Sequence, residues 1–443
     1  MGTSTAALKL VPALYSLGFV LVSALVARRL FGPGPGLLTA AYLALPPMML
    51  ALWSTKARGG YAELLFLGEA VLLLTLHAST SERKGALTGA LGVTAGLAFW
   101  TNPLALVYLV PAAVYLVAAL EGAVVRLIPP LVLGVVIGAA PGLMLERVDA
   151  FAAIASAAGT VGARALDMPR NVDMLLRVAL PVMVGLGEPI AEGAFWEQDW
   201  PTRPASLGPI ALAADALLLL GLAAYHRSVA ELVDPRDESN PEPDLLVVAA
   251  LTVLFALPFS QFAELVAEPR YALPLYATAP LYAGLLWRLH ARGLAVMVLS
   301  LALPFALNAY SLLSANPRFF LPISASESTP QNRAELIQHL KREGLTEVYT
   351  DYWLAYPLAF EGEEQVIPAV MSGGPDRYAA YAERVRRSPR PAFVVVRDGR
   401  EAAAFQERLQ SSGARARTVR VAVYDVISDI DPLVSLLPDG KSG

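Results

Sequence analysis

Apolar residues fill long stretches of this chain, and polar residues are gathered in short connectors between them. A membrane-spanning helix needs about 20 predominantly apolar residues. By that measure the pattern predicts ten spans, at 8–29, 34–53, 61–79, 86–101, 103–120, 127–146, 206–226, 244–263, 272–290 and 293–313. We therefore expect residues 1–320 to form an α-helical polytopic membrane domain.

The fourth and fifth predicted spans are separated only by Asn102 and Pro103. Proline has no backbone N–H and disfavours helix at the residue before it. We interpret this point as the tip of a hairpin, and a single bent helix is the competing interpretation.

Composition agrees with a membrane protein. The 443 residues are 56% hydrophobic and 16% charged, whereas a soluble domain carries about 25% charged residues. A net charge of −4 argues against a nucleic-acid partner, which requires a basic surface. The chain has no cysteine, which excludes disulfides and thiolate chemistry, and its sequence holds no zinc, P-loop or serine-hydrolase motif.

The distribution of Lys and Arg predicts the orientation, because cytoplasmic loops are enriched in them. One alternate set of loops holds Arg28, Arg29, Arg83, Lys84, Arg126, Arg227, Arg236, Arg288 and Arg292. The other short loops hold only Lys56, Arg58 and Arg270. We expect a multi-pass protein of the inner cell membrane with both chain ends and the connector 53–63 outside.

Residues 147–205 are predicted to form a long external loop. Its segment 171–187 is apolar and could be a helix lying in the membrane interface. Trp196 and Trp200 follow, and an aromatic belt at headgroup level is favoured over a rim that stacks a sugar.

The composition changes after residue 314, and residues 325–443 predict a small external α/β domain. Helices are expected at 332–343, 376–387 and 401–411, and strands at 347–353, 365–371, 392–397 and 419–427. Aromatic residues are dense in 351–360, where a buried core is favoured over a surface that stacks a sugar or a protein.

The connector 53–63 carries the most chemistry, because it packs Lys56, Arg58, Tyr61 and Glu63 between two predicted spans. With Arg270, its cations break the positive-inside bias, and arginine is well suited to phosphate. These three cations could bind a polyprenyl-phosphate headgroup or simply reach ordinary lipid phosphates. Glu63 is a candidate acid or base.

Several polar residues fall within predicted spans. For Glu69 and Asp215 a structural hydrogen bond is the favoured interpretation, since both lie below the depth of a polar substrate. Asn308 and Gln261 are expected to bond neighbouring helices.

A recognisable sequence pattern occurs in five segments: 7–12, 27–32, 44–47, Gly92 to Pro103 and Arg270 to Leu275. In these segments the chain resembles the GT-C glycosyltransferases, which use polyprenyl-phosphate sugars and include protein O-mannosyltransferases and aminoarabinose transferases. The resemblance implies transfer of a sugar from a polyprenyl phosphate to an acceptor hydroxyl on a glycan, lipid or protein at the outer face. In it Glu63 is the catalytic candidate, Lys56, Arg58 and Arg270 hold the lipid phosphate, and Tyr61, Tyr271, Trp196 and Trp200 contact substrate or membrane lipid. The resemblance implies no definite cofactor. It allows a divalent metal ion, for which we assign no ligand residue.

One departure from that family concerns the start of the chain. The usual first span and first external loop, which carries the catalytic acid, have no counterpart in residues 1–30. We therefore weigh a second hypothesis, in which a non-catalytic relative or a fragment acts as a membrane scaffold or binding protein. A transporter is less favoured, because the sequence shows no internal symmetry.

Overall fold

A computed structural model describes residues 4–57, 59–145, 168–184, 244–259, 270–289, single positions between 302 and 312, 329–372, 376, 378–397 and 400–431. The chain divides into two compact units. The larger comprises Lys9–Ile190 and Phe195–Phe319, and the smaller comprises Phe320–Gly443 with Met1–Leu8 and Ala191–Ala194. Each unit is described by itself.

The larger unit is a bundle of apolar helices. Its described α-helices are α1 (Thr5–Phe31), α2 (Pro33–Ala44), α3 (Met48–Trp53), α4 (Tyr61–Thr80), α5 (Lys84–Thr101), α6 (Leu106–Leu120), α7 (Ile128–Leu145), α8 (Met168–Met174), α9 (Leu180–Met183), α10 (Asp244–Phe259) and α11 (Ala279–Leu289). Four described stretches are long and apolar enough to cross a membrane, at Ala6–Phe31, Tyr61–Thr80, Pro103–Leu120 and Gly122–Gly142. The expectation of a multi-pass α-helical membrane protein is confirmed.

The predicted span 34–53 is wrong as a single helix. It is broken between α2 and α3, because Pro46 and Pro47 cannot donate the backbone hydrogen bonds that would continue the first helix. The Asn308 side-chain amide donates to the Leu45 carbonyl at this break, at 2.8 Å. The expected interhelical role of Asn308 is thereby confirmed.

Asn102 and Pro103 form the tip of a hairpin. Asn102 is extended, and a 3₁₀ turn at Pro103–Ala105 leads into α6. On α6, Tyr108 packs against Gly68 near the start of α4, and Leu120 joins a cluster with Ala78 near the end of α4. Helix α6 thus runs back alongside α4, which rules out a single bent helix.

Helices α5 and α7 lie unusually close together. Gly96 of α5 contacts the Val135 backbone and Gly142 of α7 contacts Trp100, so the two helices run in the same direction. A Cβ would overlap the backbone of the other helix at Gly92, Gly96, Gly134 and Gly138. Small residues at such spacing let membrane helices approach each other and gain van der Waals packing.

Two other predicted segments differ in detail. The predicted span 272–290 begins as a 3₁₀ helix at Arg270–Thr278 and becomes α-helical only at α11. The segment predicted at 171–187 is helical over 168–183, through α8, a π-helical turn at Leu175–Ala179 and α9. Predicted span 206–226 and most of 293–313 lie outside the described residues.

The smaller unit is an α/β domain with a five-stranded sheet in the order β2-β1-β3-β5-β4. Its elements are α12 (Pro330–Arg342), β1 (Glu347–Asp351), α13 (Tyr352–Glu361), β2 (Ile367–Ser372), α14 (Ala379–Arg386), β3 (Ala392–Val396), α15 (Arg400–Ser412), β4 (Arg415–Val421) and β5 (Tyr424–Asp431). Strand β1 is parallel to β2 and β3, whereas β5 is antiparallel to β3 and β4. Helices cover both faces, each over an apolar cluster.

Three predictions for this unit differ from the structure. The strand expected at 347–353 ends at Asp351, whose carboxylate accepts from the backbone N–H groups of Trp353 and Leu354 and thereby starts α13. The aromatic residues of α13 are only half-buried, while its leucines and alanines form the core. The strand expected at 419–427 is instead a tight hairpin that joins β4 to β5.

Candidate functional site

The connector between α3 and α4 is shaped by two glycines. Gly59 and Gly60 both have positive φ, 69° and 65°, a conformation that disfavours other residues. A Cβ on Gly60 would lie 2.8 Å from the Thr101 methyl and 3.1 Å from the Thr101 carbonyl oxygen. The chain can therefore turn tightly against the end of α5.

Asn102 ties this connector to the neighbouring hairpin. Its side-chain amide donates to the Gly59 carbonyl at 2.9 Å, and its side-chain oxygen accepts from the Leu104 N–H at 2.9 Å. One side chain thus fixes two connectors at the same end of the bundle.

A row of aromatic rings with a cation at each end crosses this end of the bundle. The Lys56 ammonium lies 4.9 Å from the Trp53 ring centroid. Trp53 meets Tyr61 edge to face at 4.8 Å, and Tyr61 meets Tyr271 edge to face at 6.2 Å. The Arg270 guanidinium carbon lies 5.1 Å from the Tyr271 centroid. We call Lys56, Trp53, Tyr61, Tyr271 and Arg270 the cation–aromatic row.

The row combines rigid and adaptable parts. Trp53 and Tyr61 are buried, 1% and 6% exposed, and belong to the main apolar core. Lys56 and Arg270 are half-buried, and Arg270 also donates to the Tyr271 hydroxyl at 3.3 Å. Cation–π contacts orient such side chains at a modest energetic gain. The result is two positive charges held by a common aromatic wall.

Glu63 lies at the start of α4, in the helix turn that begins with Tyr61. It is half-buried and has no hydrogen-bond or ion-pair partner among the residues that the structure describes. A carboxylate in the first turn is favoured by the helix dipole. Glu63 is thus available for chemistry beside the cation–aromatic row.

The structure brings together four of the predicted site residues: Lys56, Tyr61, Tyr271 and Arg270. Arg58, Trp196 and Trp200 lie outside the described residues, as do Asp215 and Gln261.

Sequence reasoning missed Trp53 and Asn102 as parts of this arrangement. Trp53 adjoins Lys56 in the same connector, which was the available signal. No signal in the sequence pointed to Asn102, because its contact with Gly59 exists only once the α5–α6 hairpin has formed. In the described parts of the chain, no three His, Cys, Asp or Glu side chains cluster as metal ligands would.

The structural hydrogen bond expected for Glu69 is not formed with normal geometry. Glu69 is fully buried in α4, and neither of its carboxyl oxygens has a hydrogen-bond partner. Its polar neighbours are Ser23 of α1, which lies within reach of the carboxyl group, and Tyr108 of α6.

Comparisons with known proteins bear on the fold. No protein-family model matches the chain, and no curated protein sequence matches it. Among solved structures it is similar to ArnT from Cupriavidus metallidurans bound to undecaprenyl phosphate, with 14% identity and a TM-score of 0.51. The match covers 97% of this chain and 85% of that one. ArnT in the apo state matches equally well, covering 97% of this chain and 84% of that one. The chain therefore has a GT-C-like membrane fold of the kind seen in ArnT, with several apolar helices and a small C-terminal sheet.

Proposed function

We propose that this protein is a membrane glycosyltransferase that moves a sugar from a polyprenyl-phosphate donor to an acceptor hydroxyl. The observation that carries the proposal is the cation–aromatic row, in which Lys56 and Arg270, far apart in sequence, share one aromatic wall. The fold supports it, because ArnT, whose fold is similar, has been solved with undecaprenyl phosphate bound.

The lipid phosphate would bind at the cations of the row. Lys56 supplies a compact charge and Arg270 a planar fork that can donate two hydrogen bonds to phosphate oxygens. Arg58, in the same connector as Lys56, would add a third cation. An isoprenoid chain could then lie along the apolar helices while its headgroup stays at the hydrated end of the bundle.

Transfer breaks the bond between the anomeric carbon and the phosphate oxygen and forms a bond from that carbon to the acceptor oxygen. Glu63 would accept the proton of the acceptor hydroxyl as the general base. The polyprenyl phosphate leaves with the bonding electron pair, and Lys56, Arg58 and Arg270 stabilise its added negative charge. The cations act most strongly in the transition state, where that charge develops.

The remaining substrate contacts are proposed for four aromatic residues of the chain. Tyr61 and Tyr271 would shape the mouth of the site, and Trp196 and Trp200 would form its rim. Carbohydrate rings stack well on such aromatic faces. We infer the outer face of the membrane for the reaction, because the excess of Lys and Arg in the other loops favours that side for this connector.

Turnover of a labelled donor tests the proposal. The full chain in lipid nanodiscs is given undecaprenyl-phosphate-linked pentose or hexose with a membrane lipid extract as acceptor, and release of undecaprenyl phosphate is measured. We expect Glu63→Gln to lose about 100-fold or more in rate, the usual contribution of a general base. Glu82→Gln, an exposed carboxylate beyond the other end of α4, is the matched control and should keep the wild-type rate.

The outcomes separate the hypotheses. Donor binding without release of undecaprenyl phosphate in the wild type would favour the non-catalytic binding protein. Equal rates for Glu63→Gln and wild type would remove Glu63 from the mechanism, and failure to bind any donor would contradict the proposal as a whole.

A further inference from the structure

Three polar side chains are fully enclosed in the middle of the helix bundle. Ser23 of α1 and Glu69 of α4 are 0% exposed, and Tyr108 of α6 is 1% exposed. The ring of Tyr108 packs directly on Gly68, where a Cβ would lie 2.6 Å from the ring carbon that bears the hydroxyl. The absence of a side chain at Gly68 thus allows Tyr108 to reach the level of Glu69.

These side chains face one another, but they form no hydrogen bond of normal geometry. The Ser23 hydroxyl approaches the Glu69 carboxyl, and Tyr108 is the phenol that interacts with the same carboxyl. Yet Ser23 Oγ, both Glu69 oxygens and the Tyr108 hydroxyl all lack a hydrogen-bond partner of normal geometry. Buried polar atoms in native proteins are nearly always bonded, to protein, water or an ion. A small ligand held among these four oxygens would satisfy them.

Among the residues that the structure describes, no cationic side chain bonds to Glu69. On α1, Arg29 is held near the far end of α4 by the Leu76 carbonyl and Thr80, each at 3.0 Å. Helix α5 carries no charge after its first residue, Lys84, and α6 carries none. In the adjoining 3₁₀ segment, Arg270 is engaged by Tyr271 at the mouth of the bundle. Among the described residues, Tyr108 is a titratable group that faces the carboxyl.

A bare carboxylate in the hydrocarbon region is unfavourable, and carboxyl groups at that depth usually mark ion or proton sites. We propose that Glu69, Ser23 and Tyr108 form a buried site for one small monovalent cation, taken up either as a proton with an accompanying water or as Na⁺. The ligand neutralises Glu69, and its remaining contacts satisfy the Ser23 and Tyr108 hydroxyls. Oxygen atoms are suitable ligands for such hard cations.

The site makes a prediction about stability, because a cation that binds only the folded protein raises its melting temperature. The full chain in lipid nanodiscs is unfolded by heat across a pH series in choline chloride, and then with increasing NaCl at constant ionic strength and alkaline pH. We expect Tm to change by about 2 °C for each tenfold change in the cation that binds.

Glu69→Gln keeps nearly the same side-chain shape and removes the charge, so it should abolish the dependence of Tm on pH and on NaCl concentration. Ser23→Ala and Tyr108→Phe should weaken it. Tyr115→Phe, which removes a hydroxyl from the same face of α6 away from the cluster, is the control and should behave like wild type.

The two arms identify the cation. A wild-type Tm that falls with rising pH and is unaffected by NaCl shows a proton, and a Tm restored by NaCl at alkaline pH shows Na⁺. If the cation is a proton, infrared difference spectra of the wild type should show the carbonyl stretch of a protonated carboxylic acid, and Glu69→Gln should remove it. If the cation is Na⁺, the wild type should lack that stretch. Parallel pH and NaCl profiles for wild type and Glu69→Gln would overturn the proposal.

Discussion

The rings of Tyr61 and Tyr271 meet edge to face, 6.2 Å between centroids, and this contact joins the connector before α4 to the segment before α11. Each tyrosine lies next to another member of the row, with Trp53 on one side and Arg270 on the other. The contact is therefore what makes two separate cationic segments into one candidate site.

Replacing Tyr271 should affect the site in two steps. Tyr271→Phe keeps the ring but removes the hydroxyl to which Arg270 donates, and we expect affinity for a phosphate-bearing lipid to fall by less than about tenfold. Tyr271→Ala also removes the ring beneath the guanidinium and its contact with Tyr61, so the loss should be larger. Lipid binding measured by native mass spectrometry checks the order, and equal affinities for the two variants would contradict it.

Gly60 should tolerate no side chain. Gly60→Ala would combine a strained positive φ with a close contact to Thr101, and we expect it to cost about 1–3 kcal/mol of stability. Gly85→Ala is the matched control, because nothing lies within 4 Å of its Cβ position and it is helical in α5. Alanine is the better helix former, so this control should be neutral or stabilising by up to about 1 kcal/mol in thermal unfolding. The reverse ranking would show that the turn is not as described.

The close packing of α5 against α7 can be tested by comparing alanine substitutions at two glycines of α5. Gly96→Ala would push a Cβ into the Val135 carbonyl and the Ala139 backbone N, 2.9 Å from the latter, so the helices would have to separate. Overpacking of this kind costs about 1–3 kcal/mol. Gly89→Ala meets only the Pro130 carbonyl oxygen, at 3.8 Å, and should be tolerated. Melting temperatures in nanodiscs that fall equally for both variants would argue against the close packing.

In the smaller unit, Arg390 and Asp429 form a surface ion pair in which the Arg390 Nε–H donates to Asp429 Oδ1 at 2.7 Å. This hydrogen bond, with the charge of Arg390, holds the pKa of Asp429 below its ordinary value. A carboxyl whose pKa is lower in the folded state stabilises the protein above the unfolded pKa, and this contribution disappears as pH falls through the folded value.

The Tm difference between wild type and Arg390→Gln should accordingly be small near pH 7 and smaller still at about pH 3, below the ordinary pKa of an aspartate. Arg342→Gln is a suitable control, because Arg342 is exposed and bonds to the Gln338 carbonyl of its own helix. A difference that is the same at both pH values would show that Arg390 acts by some other means than its charge.

Much of the helical architecture follows from hydropathy alone. Spans such as 61–79 and 103–120 are long apolar runs bounded by glycine, proline or charge, and the structure places helices there with ends shifted by a few residues. The break inside 34–53 is caused by Pro46 and Pro47. A hydropathy criterion does not detect it, because proline is not charged and the apolar residues on both sides are counted as one span.

The C-terminal unit shows where local patterns fail. The run of aromatic residues after Asp351 has strand-like composition, yet Asp351 accepts two backbone N–H groups and the segment becomes α13. A capping residue can outweigh β propensity, because propensity reports mainly how side chains pack on a sheet.

The candidate site was only partly visible in the sequence. The cations of the connector stood out because they break a charge rule, and Arg270 could be grouped with them for the same reason. The order Lys56, Trp53, Tyr61, Tyr271, Arg270 depends on which helices touch, and one sequence without tertiary contacts does not specify that. The unsatisfied cluster at Glu69 was likewise out of reach, since its partners lie on α1 and α6.

Binding of undecaprenyl phosphate is the most direct test of the central claim that the cation–aromatic row holds a lipid phosphate. Affinity is measured for the full chain in nanodiscs, with undecaprenol as the ligand that lacks phosphate. Lys56→Ala and Arg270→Ala should each weaken binding about tenfold, corresponding to one charge-assisted hydrogen bond. Arg83→Ala, an exposed cation beyond the other end of α4, should leave it unchanged. Equal affinity for undecaprenyl phosphate and undecaprenol, or unaltered affinity in both row variants, would contradict the account.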